Sequence, residues 1–155
     1  MKEIFSNYAS IIVFLHVFSA VVWIGGMITV KFAVHPTMHT IEDKKIKVGK
    51  NLMIVGRLFN LVLPFIIILL ITAIIMILAL DLNGFIVYLK ESIWTIMALN
   101  YTFMYFKRSK AQKLFNEGDI KASVSTVANI PNILLPINIF LGIVAIFLGV
   151  LLRGL

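Results

Sequence analysis

The sequence predicts an all-α membrane protein: a four-transmembrane-helix bundle in up-down order with both termini outside. Three observations lead there. The chain of 155 residues is 61% hydrophobic and only 14% charged, which is outside the composition of soluble globular domains. Apolar stretches of about 20 residues, the length that crosses a hydrocarbon core of roughly 30 Å, recur along it. The net charge of +7 is gathered into two connections that an up-down bundle places at the same end. With no Pro/Gly-rich linker and no repeat, residues 1–155 read as a single domain, and the short loops leave no room for a soluble catalytic unit. Any chemistry must take place between helices.

The spans fall at about 11–30, 58–80, 85–106 and 133–152. The first is preceded by Ser6, Asn7 and Tyr8 and followed by Lys31, with no small-residue cleavage site, so it is expected to be retained. Pro64 lies early in the second. Asn83 and Gly84 form a turn signal that makes the second and third spans neighbours. The third span is the least clean, with Lys90 and Glu91 near its start and Asn100 near its middle. Pro131 and Pro136 bracket the start of the fourth and suggest a kink there. Lys31, Lys44, Lys45, Lys47, Lys50 and Arg57 flank the first connection, and Lys107, Arg108, Lys110, Lys113 and Lys121 the third. The positive-inside rule makes that end cytoplasmic and fits a multi-pass protein of a bacterial inner membrane. Contact with membrane lipid follows. No aromatic interleaving points to nucleic acid.

Cysteine is absent, which excludes disulfides, iron–sulfur clusters and thiolate metal sites. Attention therefore falls on histidine. His16 is the only ionisable side chain inside the first span, and an unpartnered imidazole in hydrocarbon costs a few kcal/mol, roughly, so it calls for a hydrogen-bond partner, a proton-relay role or a metal. Helical spacing puts His16, Ser19, Ala20, Trp23 and Met27 on one face, with Gly25 and Gly26 beside it. Such a face serves helix packing, with His16 bonded to a hydroxyl, an amide or a carbonyl, and it equally serves a flat cofactor. At the depth of His16 the other helices offer Met76, a possible second metal ligand, and Lys90, a possible partner for a carboxylate. Lys90, Trp94, Met97, Tyr101 and Met104 share a face of the third helix that suits either a porphyrin wall or bundle core. His35, Met38 and His39 form a second cluster, expected in a basic, wet loop interrupted by Pro36. They are candidate copper ligands or simply solvated loop side chains.

The run from Leu15, His16 and Val17 to Trp23, Ile24, Gly25 and Gly26, followed by His35-Pro36, resembles the first helix of the CopD-like membrane family and of the related HemJ-type protoporphyrinogen oxidases. Arg57-Leu58-Phe59 before Pro64, Lys90 opening the third helix, and Asn129-Ile130-Pro131 before the fourth are similar to HemJ positions. The resemblance implies a four-helix homodimer or larger homo-oligomer that binds heme b through His16, with Trp23 and Gly26 on the cofactor face and Arg57 and Lys90 as polar residues for cofactor or substrate. The chain departs from HemJ proteins at Asn100-Tyr101, where they tend to have Tyr-His, at Lys31-Phe32, where they have Pro-Arg, and at Asn129, where they have glutamate.

Three functions are therefore expected to compete. The first is a membrane b-type cytochrome with a respiratory or heme-biosynthesis redox partner. The second is a heme-dependent protoporphyrinogen oxidase, for which the sequence identifies no catalytic residue. The third is CopD-like copper handling through His35, Met38 and His39, with Met27, Met97 and Met104 as a path.

Overall fold

The computed structural model describes residues 1–152 and is helical almost throughout, with no strand among the described residues. Helix α1, Lys2–Thr29, leaves helical geometry once, at Tyr8 (φ −127°, ψ 20°), which sets a short amphipathic start apart from the apolar rod. The rod does not end at Thr29. A π turn, Val30–Val34, carries it into α2, His35–Met38. The reason is Pro36: without an N–H it cannot keep the α-helical ladder, and the wider turn re-registers the chain, with the His35 N–H reaching back five residues to the Val30 carbonyl. The fourth helical arm repeats the device. Helix α5, Ile120–Val127, leads through a second π turn, Ile130–Leu134, into α6, Leu135–Leu151, and Pro136 stands where Pro36 stands in the first.

Helix α3, Lys44–Leu80, begins far upstream of the span expected at 58–80, because the Asp43 carboxylate accepts the Ile46 N–H at 2.9 Å and caps a basic, solvent-side stretch. Helix α4, Phe85–Asn116, likewise runs ten residues past the expected end of its span. Both basic connections are thus mostly helix, and only residues 39–43 and 117–119 join the arms. The expected turn around Asn83-Gly84 is present, with Asp81 in the left-handed region at φ 49° and Gly84 at φ 107°, where a Cβ is disfavoured.

Three stretches, Lys2–Met38, Lys44–Leu80 and Ile120–Leu151, are long and apolar enough to cross a membrane. Helix α4 is long enough but carries Lys90, Glu91 and the basic run from Lys107. Neighbouring arms alternate in direction. Lys2 pairs with Asp81, so the start of α1 meets the end of α3, and the Lys90 ammonium lies against Gly149, so the start of α4 meets the end of α6. The other end of the bundle carries the clustered lysines.

One apolar core runs the length of the bundle through Trp23, Met27, Phe59, Met97, Met104 and Leu135. The outward faces are also apolar: Phe14, Val21, Ile67, Leu99 and Phe140 are all more than half exposed, a surface suited to lipid rather than water. Polar pairs fix the register between helices. Asn138 is fully buried; its amide donates to the Met97 carbonyl at 3.1 Å and its oxygen accepts from Asn100 at 2.8 Å. The Tyr101 hydroxyl donates to the Phe59 carbonyl at 2.6 Å, in the part of α3 that Pro64 loosens.

Candidate functional site

Two polar clusters stand out, one at each end of the bundle. The first is built on His16. Its Nδ1 lies 3.0 Å from Thr72 Oγ1 on α3. Thr72 has one hydroxyl proton and directs it to its own helix, at 2.7 Å from the Ile68 carbonyl. With that proton on its own helix, Thr72 accepts from the tautomer of His16 that carries its proton on Nδ1, and the imidazole also has the Leu69 carbonyl within hydrogen-bond reach. Thr72 is the only polar side chain between Leu61 and Leu80, and that isolation is the signal by which the sequence could have disclosed it.

Around His16 stand groups without partners. Lys90 is within electrostatic reach of the imidazole and has no carboxylate partner among the described residues; Gly149 leaves the space its ammonium fills. The buried Ser19 Oγ, Trp23 Nε1 and Trp94 Nε1 likewise have no hydrogen-bond partner among the described residues. Trp23 meets Tyr101 edge to face at 6.2 Å, and His16 and Trp94 lie seven residues back on each helix, roughly 10 Å toward the lysine-poor end. Ser19, Trp23 and Trp94 thus hold their donors inside the bundle, while His16 faces Thr72 on α3 and Lys90 faces Gly149 on α6.

Other expected members are elsewhere. Trp23 is 1% exposed and shut in by Tyr101, while a Cβ on Gly26 would meet Leu58 and Val62, so both are packing positions and leave no slot for a flat ring inside the chain. Met76 sits one turn beyond Thr72 on α3, on the side of the imidazole that Thr72 already occupies. Arg57 is exposed and some fifteen residues from Thr72 along α3, roughly 22 Å, so it cannot share a site with His16 and Lys90.

The second cluster departs from expectation in part. The π turn keeps the chain helical through Pro36 and Met38, His39 is exposed in the turn that follows, and the side chains of His35, Met38 and His39 line a cavity of about 560 Å³. The imidazoles of His35 and His39 meet edge to face at 4.7 Å, and Lys47 Nζ stands 3.4 Å from His39 Nδ1. Among the described residues no three His, Cys, Asp or Glu side chains are grouped to hold a metal ion. An ammonium beside the imidazole also repels a cation such as copper.

Sequence reading missed the rest of this cavity. Arg108 reaches it from α4, its Nε donating to the Leu52 carbonyl at 2.9 Å and its Nη2 to Gln112 at 2.9 Å. Gly56 gives the guanidinium its room, since a Cβ there would strike it. Burial pushes the Arg108 guanidinium below its ordinary value, and it stays charged. The Lys31 ammonium donates to the Pro131 carbonyl at 2.8 Å and pins the two π turns together. No family model matches this chain, and comparison with curated proteins and with solved structures gives no match either.

Proposed function

We propose that this chain is a membrane-embedded, b-type heme-binding subunit of the HemJ-like kind, with four crossing helices, both termini outside and the basic end in the cytoplasm of a bacterium. The observation that carries the reading is the Thr72 bond to His16 Nδ1. Ligating histidines characteristically donate their second ring N–H to a fixed acceptor, which sets the tautomer and aims the other nitrogen. When bound, heme supplies one-electron redox chemistry whose potential depends on its axial ligands and surroundings. The chain's own residues fit that group in part. His16 offers a ring nitrogen to iron and Lys90 is a cation suited to a propionate, whereas the unused donors of Ser19 and Trp23 are closed inside the bundle and do not reach a ring on its outside. Because Trp23 and Gly26 close the bundle interior, the ring belongs on the outer flank of His16, between two copies of the chain. A homodimer would bring His16 of each copy to that group and shield it from lipid, with the heme held between the two chains.

The enzyme reading, oxidation of protoporphyrinogen with heme as relay, uses the same His16. The distance of Arg57 from that site removes one of its two expected substrate-steering groups, so electron transfer is the preferred reading.

The deciding experiment is the reduced-minus-oxidised visible spectrum of the purified protein, produced with heme supplied, beside His16→Ala. A b-type band present in the wild type and lost in the variant is the expected result. A colourless wild type with intact helicity overturns the reading.

A further inference from the structure

The cavity at the basic end is built more carefully than a gap between loops. It lies between the two π turns, which contribute Val30 from one side and Ile130 and Pro131 from the other, and the Lys31 bond to Pro131 ties those walls together. Its lining is divided. Lys44, Lys47 and Arg108 bring three cations and His35 and His39 two imidazoles, against one acid, Glu42. Leu52, Val55, Leu58, Phe59 and Leu135 supply an apolar floor. Helix α5 covers the cavity and is anchored by the Ser123 hydroxyl, which donates to the Ala111 carbonyl at 2.9 Å. The volume lies within the range of about 300–1,000 Å³ usual for small-molecule sites.

Arg108 is the informative member. Two of its five N–H groups hold it in place on Leu52 and Gln112, and no ion pair engages it among the described residues. A half-buried guanidinium that is positioned, given space by a glycine and left without a counter-ion is suited to an oxyanion, which takes several donors at once. The apolar floor beneath it adds a requirement for a ligand with an apolar part.

We infer that this cavity binds the phosphate group of an amphipathic ligand, with Arg108 and Lys47 holding the phosphate and the floor around Leu58 and Phe59 taking the apolar portion. The site is separate from His16 and does not depend on heme. Two sources share this chemistry: the headgroup of an anionic phospholipid, reached because the cavity lies at the membrane's basic face, and a free organic phosphate from the aqueous side.

The test is equilibrium binding by native mass spectrometry on the full-length protein in a neutral detergent. Three probes are compared: dihexanoylphosphatidylglycerol, glycerol 3-phosphate and dihexanoylglycerol. Binding of the first alone supports the site and assigns it to lipid. Comparable binding of glycerol 3-phosphate, which has no apolar part, overturns the amphipathic ligand and assigns the cations to a soluble phosphate. Binding of dihexanoylglycerol as tight as that of its phosphate-bearing analogue, or no binding of any probe, overturns the proposal. Lys47→Gln and Arg108→Gln are each expected to weaken binding about tenfold, the loss of one charge-assisted hydrogen bond. Because Arg108→Gln also frees the Leu52 carbonyl, Gly56→Ala serves as the second variant. It keeps every charge and favours helix, yet displaces the guanidinium, and the same loss is expected with unchanged circular dichroism. Lys110→Gln removes an exposed cation outside the cavity and should leave binding unchanged; an equal loss there would mean diffuse charge attraction and defeat the proposal.

Discussion

At the residue scale the consequence of the His16–Thr72 bond is a matter of which nitrogen carries the proton. Thr72→Val keeps the shape and removes the acceptor, so the imidazole loses its tautomer lock while the helices keep their packing. On the heme reading, affinity for heme measured by absorbance titration should fall about 10- to 100-fold, as when an outer partner of a ligating histidine is lost. Wild-type affinity in Thr72→Val would show that the hydroxyl does not orient the ligand. Tyr101→Phe makes a contrasting case. It deletes one buried hydrogen bond to Phe59 with little change in volume, and a loss of about 1 kcal/mol in a thermal or denaturant melt is expected, with heme binding unaltered. His16 was legible in the sequence because an imidazole in hydrocarbon is conspicuous. Trp23 and Gly26 were legible only as members of a face. Their closure by Tyr101, Leu58 and Val62 depends on side chains far away in the chain, and helical spacing carries no information about them.

At the element scale, Pro36 was read as interrupting a loop and Pro131 and Pro136 as a kink, and both places hold π turns. A proline forbids one hydrogen bond, but whether the chain stops or re-registers depends on whether packing continues beyond it. Val30 and Ile130 are both buried against the same core, so the helices run on past the prolines, and His35 and His39 come to the edge of the cavity. The amide pair between α4 and α6 sets the register at the opposite face. Asn138→Leu removes the bonds to Asn100 and to the Met97 carbonyl, leaving the Asn100 amide only the Leu134 carbonyl, and a destabilisation of about 2 kcal/mol is expected from the two lost buried hydrogen bonds. A melting temperature equal to the wild type's would mean that apolar packing alone holds α4 to α6. Helix ends were the least legible feature. The basic extensions of α3 and α4 lack the hydrophobic signal that marks a span, and form helix through the Asp43 cap and contacts among themselves.

At the scale of the whole molecule, the charge distribution makes a prediction about sidedness that the absence of cysteine renders easy to check. A single cysteine at Asn83, in the turn between α3 and α4, should react with a membrane-impermeant maleimide in intact cells, and one at Lys45 or Gly118 should react only after the membrane is opened. The reverse pattern would invert the orientation without disturbing the fold.

The sequence by itself determined the membrane-type composition, the approximate place of three apolar helices, the shared basic end and the inward faces of the helices, because these depend on local composition and on an angle around a single helix axis. Tertiary structure alone decided which inward groups meet. It paired His16 with Thr72, separated Arg57 from Lys90, closed the groove beside Gly26, and gathered the two π turns, α2, α3, α4 and α5 around a cavity. Those outcomes depend on the relative depth, rotation and separation of different helices, which are fixed by complementary side-chain volumes and a few buried hydrogen bonds between residues distant in the chain.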